Sequence, residues 1–194
     1  KALLNNEKGL HIDKDHFMTI SPDEGSMNRA IYLANVLGVD MGMYYKRLDY
    51  SRYVNGRHPI AAYEFLGPKI EGKDMILIDD MISSGDTIIK IASLLKEKGA
   101  GRVYICSTFG FFTDGLDKFD DAYKKGYFDK LLTTNLVYQS PELLEKPYYI
   151  SCDMSKYIAL IIDTLNHDTS VSHLLNPVDR IKRCVTNYMS QHEK

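Results

Sequence analysis

"MILIDDMISSGDT", residues 75–87, runs four apolar residues straight into two adjacent aspartates and then into a short hydroxyl-rich loop around one glycine. The apolar run has the make-up of a buried strand. The following "TIIKIASLLKEKGAG" (87–101) has the apolar spacing of an amphipathic helix that stops at Gly99 and Gly101. Strand, glycine-containing turn and helix together form the opening of a βαβ unit, and the rest of the chain repeats that alternation.

Upstream, "HFMTI" (16–20) predicts a strand, "SPDEG" (21–25) a polar turn, and "SMNRAIYLANVLG" (26–38) a helix stopped by Gly38. "VDMGMYY" (39–45), "AAYEFLG" (61–67) and "DMILI" (74–78) predict further strands. Downstream, "RVYICSTFG", "KLLTT" and "PYYIS" read as strands, "LDKFDDAYKKG" as a helix, and the amphipathic "SKYIALIIDTLNH" (155–167) as the helix that closes the core. The alternation predicts an α/β fold, a doubly wound, mostly parallel sheet with helices on both faces. Between strands, "KRLDYSRYVNGRHP" (46–59) carries five basic residues, counting His58, with no core-forming period, and is expected to be a long, mobile, cationic loop. The tail "NPVDRIKRCVTNYMSQHEK" predicts a last, more exposed helix with Asn176 and Pro177 at its N-terminus.

A length of 194 residues with 44% hydrophobic and 26% charged residues suits a single globular domain. The formal net charge of −2 supplies no overall basic field, so nucleic acid is not an expected partner and any anion must be met locally. The three cysteines lack a CxxC pair, which argues against a disulfide framework or zinc site and for a reducing, cytoplasmic setting. "YIALIIDTL" is too short, and too interrupted by Asp163, to span a membrane. The chain opens on Lys1 rather than methionine, and an upstream segment is expected.

Asp79, Asp80, Ser83, Ser84, Asp86 and Thr87 crowd around Gly85. Such residues favour helix N-caps, but one cap would suffice. At the C-terminal edge of a parallel sheet the same turn aims backbone N–H groups at one point, where phosphate binds. Carboxylates do not contact phosphate favourably, yet they accept hydrogen bonds from vicinal ribose hydroxyls, and a divalent cation offsets the remaining repulsion. A phosphorylated sugar satisfies both halves of the loop.

These residues resemble the phosphoribosyl-pyrophosphate motif of the type I phosphoribosyltransferase fold. "SPDEGSMNRA" is similar to the Ser-Pro-Asp-x-Gly-Gly stretch of the ribose-phosphate pyrophosphokinase family, and it stands at the corresponding distance upstream. The resemblance covers about residues 15 to 145, with "PYYISCDMSKYIALIIDTLNHD" also similar. It implies the C-terminal half of a synthetase: residues 1–15 as a linker from an upstream half, 16–170 as the phosphoribosyltransferase-like domain, and 171–194 as a helical tail.

By the same resemblance Asp79 and Asp80 hold ribose hydroxyls, Ser83, Ser84, Gly85, Asp86 and Thr87 cradle the 5-phosphate, and Asp23 binds Mg²⁺. The substrates implied are ribose 5-phosphate and ATP, and the assembly a homo-oligomer, hexameric or dimer-based. Lys46 is the first candidate catalytic cation and Arg47 or Arg52 the second, because charge on a transferring phosphoryl group calls for cations that close over it. Several positions depart from the family pattern: Leu48 interrupts its Lys-x-Arg, Ser26 replaces a second glycine, Ser83 an aspartate and Phe109 a histidine. Two other readings stand beside it, a phosphoribosyltransferase that consumes phosphoribosyl pyrophosphate and a non-catalytic, synthetase-associated regulatory protein. No stretch offers a Gly-rich triphosphate loop, so the chain by itself is expected to bind sugar phosphate without turning it over.

Overall fold

A computed structural model of the chain describes residues 1–53, 56 and 58–192. Seven strands form one sheet: β1 (Phe17–Ser21), β2 (Asp40–Leu48), β3 (Ile60–Leu66), β4 (Asp74–Ile82), β5 (Val103–Gly110), β6 (Lys130–Thr134) and β7 (Tyr149–Cys152). Their order is β3-β2-β1-β4-β5-β6-β7, and every neighbouring pair is parallel except the β2–β3 hairpin. This is the doubly wound α/β sheet that the alternation of elements predicts.

Alternate residues of a strand face opposite sides, and β4 feeds both cores in that way. Met75 and Leu77 join α3 (Asp86–Glu97) and α4 (Asp117–Lys124) in one cluster, through Ile88, Ile91, Leu95 and Phe119. Ile76 and Ile78 turn the other way, toward Ala34 of α2 (Met27–Leu37) and Tyr188 of α8 (Val178–His192). Gly38 ends α2 with φ 71°, the left-handed conformation that its position in the sequence predicts. β1 is tied to α2 by the Thr19 hydroxyl, which donates to the Ala30 carbonyl at 3.1 Å.

Residues 1–15 lie on the second core. A short helix, α1 (Ala2–Asn6), places Leu3 there, and Leu10 is 1% exposed. The Arg102 guanidinium donates to the carbonyls of Lys8 and Gly9, while Tyr188 accepts from the Leu10 amide and donates to the Glu7 carbonyl. The tail helix α8 is therefore less exposed than its charge predicts, since Tyr188 is 5% exposed. At its start the Asn176 side chain accepts from the Val178 amide at 3.3 Å, the cap that the sequence indicates.

Two expectations are corrected. The cationic loop is shorter than its composition suggests, because β2 runs on through Lys46, Arg47 and Leu48, which pair with Tyr63, Ala62 and Ile60 of β3. Backbone pairing with a strand more than a dozen residues away overrides the local polar signal. Of the remaining segment, Val54, Asn55 and Arg57 lie outside the described residues. The helix α6 (Ser155–Asn166) does form, but it does not close the core: Thr164 is its buried residue, and Ile162 and Leu165 are 61% and 60% exposed. Two further short helices, α5 (Pro141–Leu144) and α7 (Ser172–Leu175), complete the chain. Among the described residues no helix is long and apolar enough to cross a membrane.

Candidate functional site

β1 lies between β2 and β4, so the chain leaves it toward one edge of the sheet and later returns on its other side. A switch of this kind opens a crevice beyond the carboxyl ends of the two central strands, where ligands of open α/β sheets bind. The last paired residues of β1 and β4 are Ile20 and Leu77, so Asp79 and Asp80 extend past the end of β1 into that crevice. A cleft of about 350 Å³ occupies it, lined by Asp23, Gly25 and Ser26 from one side and by Asp79 through Ile88 from the other.

The capping explanation does not account for most of these side chains. Asp79 and Asp80 belong to β4, and the N-cap of α3 is Gly85, with no side-chain cap. Gly85 has φ +84° and its Cα faces the Phe119 ring: a Cβ there would lie 2.2 Å from Phe119 Cζ. Ser84 and Asp86 are partly committed to one another, the hydroxyl donating to Asp86 Oδ2 at 2.9 Å. Gly85 to Ile88, at the start of α3, line the cleft, and the first turn of a helix leaves backbone N–H groups without intrahelical partners.

Asp79 accepts from the Ser26 hydroxyl at 2.7 Å and from the Asp80 amide at 2.9 Å. Burial raises its carboxyl above the ordinary aspartate range, the nearby charge of Asp23 raises it further, and the two hydrogen bonds oppose both. Asp80 is more open; it accepts from the Met81 amide at 2.8 Å and faces Arg29 of α2 at 3.4 Å. Asp23 accepts from the Gly25 amide at 3.1 Å and is met by Lys46 at 3.3 Å. Lys46 and Leu48 line a second hollow against Asp23, Glu24 and Gly25.

The structure therefore brings Asp23, Lys46, Asp79, Asp80 and the loop Ser83 to Thr87 to one end of the sheet. Arg47 is not among them. It lies on the opposite face of β2 from Lys46 and pairs with Glu64 of β3 at 2.8 Å. Two basic side chains missed by the sequence reading reach the site: Arg29, one helical turn after Ser26, and Lys118 of α4, which pairs with Asp86 at 2.8 Å. Arg29 was discoverable as a cation just after "SPDEGS", whereas nothing local marks Lys118.

Among the described residues no three carboxylate, histidine or cysteine side chains converge as a complete metal cage. Mg²⁺ is typically held by one or two carboxylates together with waters and substrate phosphates. The oxygens of Asp23, within electrostatic reach of Asp79, fit that kind of partial site.

Comparison with known proteins places the chain in a family. Residues 57–176 match the phosphoribosyl synthetase-associated domain. The ribose-phosphate pyrophosphokinase of Vibrio parahaemolyticus serotype O3:K6 is 29% identical over 163 residues, covering 84% of this chain and 49% of its own length. That of Thermococcus kodakarensis is 31% identical over 121 residues, covering 62% of this chain and 39% of its own length. The chain spans about half the length of the curated relatives it matches. The crystal structure of phosphoribosylpyrophosphate synthetase from Mycobacterium smegmatis shares the fold, with a TM-score of 0.65 and 24% identity over 78% of this chain and 45% of that one. With more than half of its residues inside one family match and relatives of one name along most of its length, the chain belongs to the phosphoribosyl synthetase-associated domain family.

Proposed function

We propose that this chain is the sugar-phosphate half of a ribose-phosphate pyrophosphokinase. In the reaction, the 1-hydroxyl of ribose 5-phosphate attacks the β-phosphorus of ATP, the bond between the α and β phosphates breaks, and AMP leaves. The observation that carries the reading is the single cleft shared by Asp23 and Ser26, beyond β1, and by the segment Asp79 to Thr87, beyond β4. A lone helix cap does not need two carboxylated edges, but a ribose phosphate does.

Each group then has a task. The Asp79 and Asp80 carboxylates accept from ribose hydroxyls and set the orientation of the sugar. The backbone N–H groups at the start of α3, with Ser83, Ser84 and Thr87, hold the 5-phosphate. Asp23 is the Mg²⁺ ligand, and the bound ion would neutralise charge on the transferring pyrophosphoryl group. Lys46, held near Asp23 from β2, is the cation for that same charge. We assign the orientation of ATP to the other half of the full-length enzyme. The exposed apolar residues of α6 fit burial against another polypeptide surface, in line with a homo-oligomer.

Leu48 and the turned-away Arg47 favour a second reading, a regulatory member that binds sugar phosphate without turnover. Incubation of the full-length protein with ATP, Mg²⁺ and ribose 5-phosphate, following AMP, separates the two. Stoichiometric AMP and phosphoribosyl pyrophosphate support the synthetase. Ligand binding without AMP supports the regulator, and nucleobase-dependent pyrophosphate release would replace both with a phosphoribosyltransferase.

A further inference from the structure

The phosphate loop has a second wall. Ser83 accepts from the Thr113 amide through its carbonyl at 3.1 Å, and the two hydroxyls lie 3.3 Å apart. Phe119 packs against Gly85, and Lys118 reaches from the same turn of α4 to Asp86 Oδ1 at 2.8 Å and Asp114 Oδ2 at 3.0 Å. The segment 113–119 thus grips the loop by backbone, hydroxyl, ring and ion pair.

Asp86 creates a difficulty for this loop, since it puts a carboxylate in the first turn of α3, where the helix would otherwise favour an incoming anion. An ionised Asp86 repels a phosphate dianion. The Lys118 ammonium and the Ser84 hydroxyl both point at that carboxylate and lower it from the ordinary aspartate range. The carboxylate is therefore ionised at neutral pH, and Lys118 is the cation paired with it.

We infer that Lys118 is a positioning residue of the phosphate cradle that acts through Asp86, cancelling its charge and holding it off the anion. The inference rests on the sugar-phosphate reading of the cleft. It assigns the local charge balance, and so the preference for a doubly charged 5-phosphate, to a side chain outside both sequence motifs.

A double-mutant cycle tests it, with ribose 5-phosphate titrated calorimetrically into wild type, Lys118→Met, Asp86→Asn and the double variant. Thermal melts of all four check folding. Lys118→Met is expected to weaken ribose 5-phosphate about fivefold, the scale of one solvent-screened charge contact. Asp86→Asn is expected to tighten it, and in the Asp86→Asn background the Lys118→Met loss should vanish. Lys118→Arg should restore binding in the wild-type background. An undiminished Lys118→Met loss in the Asp86→Asn background would overturn the inference, as would no loss in the wild-type background. A wild-type protein that binds neither ribose 5-phosphate nor inorganic phosphate would instead remove the sugar-phosphate reading, and the inference with it.

Discussion

Ser26 Oγ donates to Asp79 Oδ1 at 2.7 Å, joining residues 53 positions apart. Ser26 is the N-cap of α2, yet its hydroxyl caps nothing in its own helix. It holds instead the first carboxylate of the other motif, so the ends of β1 and β4 are fixed against each other. The serine that departs from the family's second glycine thus helps to couple the two halves of the cleft, as does the Arg29–Asp80 pair.

Ser26→Ala should lower stability by about 2 kcal/mol, because a hydrogen bond to a partly buried carboxylate is lost and its acceptor is left short of a donor. Urea denaturation monitored by circular dichroism measures this. A change within the error of the method would mean that water replaces the hydroxyl freely.

Asp79→Asn should raise stability while weakening ribose 5-phosphate about tenfold or more, the loss expected for a charge-assisted acceptor. The opposite signs follow from one cause. Burial raises the Asp79 carboxyl in the folded state, so ionisation costs the fold more than it costs the unfolded chain. Its contribution to stability is greatest when it is protonated and declines as pH rises from the ordinary carboxylate range through the raised folded value. The stabilisation by Asn should accordingly grow over that same window and level off above it. Melting curves of both proteins from acid to neutral pH supply the comparison.

Gly85→Ala should cost about 2–4 kcal/mol, combining a left-handed backbone with overpacking against Phe119. A merely conformational role would give the lower end. Phe119→Leu destabilises by itself, yet in the Gly85→Ala background its cost should shrink, because the ring that meets the new methyl is gone. Additive effects of the two changes would contradict the close contact.

How far the sequence discloses this architecture depends on how local each signal is. β1, α2, β4, α3 and β5 follow from apolar periodicity and glycine stops, which act within a few residues. The extension of β2 was not legible, since Lys46 and Arg47 look like loop residues until Tyr63 and Ala62 pair with them. The amphipathic stripe of α6 identifies a helix but not its neighbour, and here the stripe faces outward. The two motifs of the site are contiguous in sequence and were readable. Lys118 was not, because it meets Asp86 from 32 positions away, on a helix whose charges look like ordinary surface.

On the proposed synthetase reading, Lys46→Ala in the full-length protein should reduce kcat about 10²–10³-fold with a much smaller change in KM, the mark of a preorganised contact that counts mainly in the transition state. Arg47→Ala should do far less, given its pairing with Glu64 on the other face of β2. Steady-state kinetics of both variants decide this, and equal losses would show that the hairpin rearranges during turnover.

Asp80 is the carboxylate on which the proposed function rests most directly: it lines the cleft, accepts from the Met81 amide at 2.8 Å and faces Arg29 at 3.4 Å. Calorimetric titration of ribose 5-phosphate into wild type and Asp80→Ala, with melting temperatures in parallel, is the decisive measurement. The expected result is saturable binding to wild type and a loss of about tenfold or more in the variant, with little change in melting temperature. Intact affinity accompanied by a substantially lowered melting temperature would mean that Asp80 serves the fold and not a sugar.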